Sequence, residues 1–87
     1  MPNYNPRARA AILQALEDQL ASPETPEVKA ELERLVRDGV DPQPAKEMMA
    51  TILSFHIVST MQGRAFDYAA YVDELRRLPD IDFDKRL

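Results

Sequence analysis

The chain has 87 residues, a formal net charge of −4 and no cysteine. That describes one small domain, 1–87, with a limited core and with neither a disulfide framework nor a thiolate metal site. An acidic balance repels phosphate backbones, and the sign is concentrated in residues 22–41, where six acidic groups face three basic ones.

Arg7, Arg9, Glu17 and Asp18 interrupt any signal-peptide core at the start of the chain, and no later run is apolar for long enough to span a bilayer. The expectation is a soluble, cytoplasmic protein without a membrane partner. Asn5 followed by Pro6 reads as an N-cap and first helical position. Ile12, Leu13, Leu16 and Leu20 then recur at helical spacing, predicting a first helix over 6–21. The connection "SPETP" ends in Thr25 and Pro26, the same cap-then-proline pair, and Val28, Leu32, Leu35 and Val36 carry a second helix over 26–38. Gly39 suits the left-handed position after that helix, with Val40 placed for the apolar contact that accompanies such an end.

Asp41 and Pro42 open a third helix over 42–62, with Pro44 still in the first turn, where its missing N–H costs nothing; Gly63 closes it. The fourth start is the best formed. Asp67 can cap, and Phe66 before it stands in staple register with Tyr71. Tyr68, Tyr71, Val72, Leu75 and Leu78 then line one face over 68–78, until Pro79 stops the helix. Only the short C-terminal tail "DIDFD" alternates with period two, and it reads as an extended or frayed arm. The fold class is all-α, a compact bundle of four helices.

The third helix is the unusual one. On a helical wheel Ala45, Met48, Met49, Ile52, Leu53 and Phe55 form one broad face around His56, and Ala50, Leu53, Ile57 and Met61 continue it as a second ridge. The polar remainder is a narrow strip of Glu47, Thr51, Ser54 and Gln62. A helix apolar on nearly all sides is either central in its own chain or lies in an interface. The expected interface residues are Leu53, Ile57 and Met61, with Met48 and Met49, whose flexible thioethers suit irregular gaps and adaptable surfaces alike. Symmetric dimers being the commonest oligomers, the first partner to expect is a second copy, and the next another protein.

His56 is the only histidine, and Leu53 stands where a helix-borne Glu-x-x-His pattern would need its carboxylate, so no metal site is expected. Ser59 and Thr60 lie within reach of His56 on the helix surface, yet mid-helix hydroxyls usually bond back to a carbonyl, and no strained elbow builds an oxyanion hole. No catalytic residue is assigned. The imidazole is expected to be satisfied by a carbonyl, by a hydroxyl such as that of Tyr68 or Tyr71, or by a carboxylate. At a dimer seam it would be a pH-sensitive element, because a charged imidazole resists burial in an apolar contact. Two glycines, both at helix ends, exclude phosphate-binding and dinucleotide loops, so no cofactor is expected. Lys29, Glu33 and Arg37 stand four residues apart and predict ion pairs along the second helix.

The segment "LERLVRDGVDPQPAKEMMATIL" resembles a helix-turn-helix, but its second helix begins with Gln43 and Lys46 and then turns apolar, which disfavours nucleic acid as a partner. It is also similar to the helix–glycine loop–helix of ubiquitin-associated-type domains, with Val40 in place of the expected aromatic. Across most of the chain, "EDQL", "PETPEVKAELERLV", "AKEMMATIL" and "FDYAAYVDELRRLP" together resemble short uncharacterised bacterial all-helical proteins, a resemblance that implies a compact helical domain and carries no active site. The function expected is a small interaction or assembly module, not an enzyme, that self-associates through its third helix. The alternative is a small helix-turn-helix-like regulator of nucleic acid.

Overall fold

The computed structural model describes residues 6–80. Four helices follow in chain order: α1 Pro6–Ala21, α2 Pro26–Arg37, α3 Pro42–Met61 and α4 Tyr68–Arg76. The protein is an all-α bundle. Among the described residues no helix is long and apolar enough to cross a membrane. The Asn5 cap and the tail from residue 81 lie outside the described residues.

The ends of these helices obey local rules that differ from one to the next. After α2, Gly39 takes φ +99, the Gly39 N–H donates to Val36 O at 3.0 Å and the Val40 N–H donates to Leu35 O at 2.9 Å. This pairing satisfies orphan carbonyls of the last turn, and Val40 packs against the core as expected. After α3 the same device recurs at Gly63, with φ +90 and the Arg64 N–H on Ser59 O at 3.2 Å. At the start of α4, Asp67 accepts from the Ala70 N–H at 3.0 Å, while Phe66 meets Tyr71 edge-on with ring centroids 5.7 Å apart.

Two other starts depart from expectation. Neither Thr25 nor Asp41 makes a side-chain capping bond. Asp41 has lost a target, because the third helical residue is Pro44 and has no N–H to offer. Thr25 donates its hydroxyl backward to Gln19 O at 2.8 Å, tying the connection to the last turn of α1. α4 also ends two residues earlier than the apolar pattern suggests. Arg77 and Leu78 close tight turns onto Glu74 O and Leu75 O, each at 3.1 Å, as Pro79 disfavours helix in the residue before it.

α2 and α3 form the centre of the bundle, each touching all three other helices, while α1 and α4 pack on either side without meeting along their backbones. α3 alone buries Ala45, Met49, Ala50, Ile52 and Leu53. Leu16, Val28, Leu35, Tyr71, Leu75 and Leu78 complete the core. Side chains then lace the layers together. Tyr71 donates across the core to Gln19 Oε1 at 2.7 Å, Lys46 pairs with Glu17 at 2.8 Å, and Arg9 donates to Glu47 O at 3.1 Å.

Candidate functional site

The C-terminal half of α3 and the outer side of α4 enclose an open cleft of about 470 Å³. Its α3 wall is Phe55, Val58 and Ser59 with Gln62 just past the helix end, and its α4 wall is Ala70, Asp73 and Glu74 with Arg77 just past the helix end, while Arg64 is contributed by the turn between the two helices. Each wall follows the spacing of one helical face, so the cleft is the seam where two amphipathic faces diverge.

His56 lies at the base of this cleft. Its Nε2 is 2.6 Å from Glu74 Oε1, and both side chains are mostly covered. The ring leans edge-on toward Tyr71, with centroids 5.6 Å apart, and lies 5.9 Å from Phe66. Of the three kinds of partner expected for the imidazole, the structure supplies the carboxylate.

The neighbourhood gives a nucleophile little help. Thr60 donates its hydroxyl to Ile57 O at 2.6 Å. The N–H groups of Gln62, Gly63 and Arg64 are all committed to α3 carbonyls in the turn that ends the helix, so they stabilise the helix end and not an oxyanion. Among the described residues no group of three or more His, Cys, Asp or Glu side chains is arranged to hold a metal ion.

A second cleft of about 510 Å³ lies on the other side of α4, against α2. There the Tyr68 hydroxyl donates to Glu27 Oε1 at 2.7 Å. Burial first, and then this bond to a carboxylate, pushes the phenol up to about 12, and the same hydrogen bond draws Glu27 below its ordinary value.

The expected interface residues separate into two groups. Leu53, 1% exposed, and Met49, fully covered, are core residues of the single chain, because α1, α2 and α4 between them cover that side of α3. They are withdrawn from the interface. Met48 and Ile57 are half-buried and pack against the core. Met61 is 80% exposed, and Val58, absent from the expected interface residues, is 49% exposed one turn before it.

Two arrangements were not anticipated from spacing. Along α2 the ion pairs run from Arg34 to Glu31 and Asp38, not through Lys29, Glu33 and Arg37. Arg34 also donates to the carbonyls of Leu75, Arg76 and Leu78, at 3.2, 3.4 and 2.9 Å, so that α2 caps the end of α4. Gln43 and Lys46, the polar groups of the helix-turn-helix reading, point their donors at Glu47 and Glu17. No family model, curated protein or solved structure matches the chain.

Proposed function

We propose that this domain is a helical interaction module that self-associates through the C-terminal end of α3. The observation that carries the reading is the pair of apolar side chains Val58 and Met61, adjacent on the helix surface and exposed at the end of the helix that buries more core residues than any other. Paired with the same strip of a second copy about a two-fold axis, each would cover the other, and the half-buried Ile57 would add to the contact. A chain without cysteine suits a reducing compartment, and we infer that it works in the cytoplasm.

The test is light scattering over the micromolar to millimolar range. The expected result is a dimer that dissociates on dilution and that Met61→Asp abolishes while leaving the thermal melt of the monomer unchanged. A monomer at every concentration, or a Met61→Asp variant that dimerises as the parent does, would overturn the reading.

A further inference from the structure

The rim of the α3–α4 cleft carries charges of both signs that do not satisfy one another. Among the described residues, neither Arg64 nor Arg77 engages its guanidinium in an ion pair or a hydrogen bond, and both are exposed. Asp73, on the same rim, has a side chain 66% exposed. Arg77 follows it by four residues, the spacing at which an acid and a base on a helix usually pair. Here Asp73 instead meets Arg76, at 3.6 Å, and Arg76 is also drawn to Glu31 at 3.8 Å. Exposed pairs of this length contribute little, so Asp73 can change partner at small cost. Glu74, the other acid of the cleft, is mostly covered and held against His56 at 2.6 Å.

A two-fold contact joins a patch to itself, so it suits a patch that carries both members of each pair. This rim does. Its apolar member is Val58, which lines the cleft with Asp73 and Arg77 and stands one turn from Met61. Its charged members are one exposed carboxylate and two guanidiniums, each able to grip a carboxylate through two N–H donors. Two apolar side chains from each copy leave the orientation of a contact open, and charges at its edge fix it. Two copies of net charge −4 also repel at a distance, so they meet most readily where unpaired cations face an acid.

We propose that Asp73 of each copy docks on the Arg64 and Arg77 guanidiniums of the other, at the flank of the Val58 and Met61 contact. The inference rests on the self-association proposed above and adds to it the charged pairs that set its orientation.

The experiment is sedimentation equilibrium on the full chain, on Asp73→Lys, on the Arg64→Glu, Arg77→Glu double variant and on Met61→Asp. Each charge variant alone is expected to dimerise about tenfold more weakly than the parent, because it sets like charges against each other across the two-fold axis. An equimolar mixture of the two charge variants is expected to regain the parent's affinity, since each then offers the sign the other lacks, and a misfolded variant could not do so. A parent dimer that Met61→Asp abolishes but that neither charge variant weakens would overturn this inference and leave self-association standing. So would a mixture that binds no more tightly than its components. A parent that stays monomeric at every concentration would remove the self-association reading, and this inference with it.

Discussion

Arg34 shows what one side chain can do when the chain returns to it. Its guanidinium reaches three carbonyls at the end of α4 and the Glu31 carboxylate, whose Oε1 is 2.8 Å from Nε. An ammonium has neither the fork geometry nor the number of donors for this. Arg34→Lys is expected to cost about 1–2 kcal/mol in urea unfolding, with faster amide exchange confined to the end of α4 and Leu78. Spacing along α2 could not reveal this role, since the partners stand more than forty residues away and are backbone atoms. His56 was partly legible: a satisfied imidazole follows from a lone histidine on an apolar face, but Glu74 becomes its partner only through the way α4 crosses α3.

Tyr68 supports a prediction in pH at the same scale. Its folded-state value of about 12 lies above the ordinary 10.0. As pH rises past 10.0 the unfolded chain releases the phenolic proton while the folded one keeps it, so stability present below that point drains away between 10.0 and about 12. Burial shifts Tyr71 in the same direction. Glu27 works at the acid end, where its contribution, present above 4.5, is lost as pH falls through its lowered folded-state value. Tyr68→Phe should therefore flatten the alkaline fall of the urea midpoint, and an equally steep fall in that variant would refute the assignment.

At the scale of elements, the four helices were legible because punctuation and periodicity agreed. Proline after a capping residue, glycine after a helix and the Phe66–Tyr71 staple each act within a few residues. What spacing could not divide was the apolar surface of α3. Leu53 and Met61 belong to the same ridge on a wheel, yet α1, α2 and α4 cover the first part of the helix and not its last turn. The two should therefore respond differently to truncation. Leu53→Ala opens a cavity in the core and is expected to cost about 2–5 kcal/mol, whereas Met61→Ala should change monomer stability by less than about 0.5 kcal/mol. Denaturation at a concentration below any dimer transition measures both. The start of α4 offers a third comparison, since Asp67→Ala removes a formed cap and should cost about 1 kcal/mol, while Asp41→Ala, where no cap bond exists, should cost much less.

The molecule as a whole is a central pair, α2 and α3, with one helix on either side. The two outer helices are not equally anchored. α4 buries Tyr71, Val72 and Leu75 and is capped at one end by Asp67 and at the other by Arg34. α1 buries only Leu16 completely, and its other ties to the bundle include Glu17 with Lys46, Arg9 on α3 and the Gln19 amide beneath Tyr71. Surface pairs of the first kind contribute little, and Ile12, Leu13, Ala15 and Leu20 pack against the core only half-buried, so α1, with a single side chain fully covered, is the element that local opening should release first. Native-state hydrogen exchange is expected to place α1 amides at the lowest opening free energy of the four helices and the middle of α3 at the highest. Tyr71→Phe, which deprives the Gln19 carboxamide oxygen of its donor, should widen that gap by lowering α1 more than α4. If α1 and α3 instead exchanged through one common opening, with equal free energies and equal responses to Tyr71→Phe, the bundle would be a single cooperative unit and the assignment of α1 as its loosest helix would be wrong.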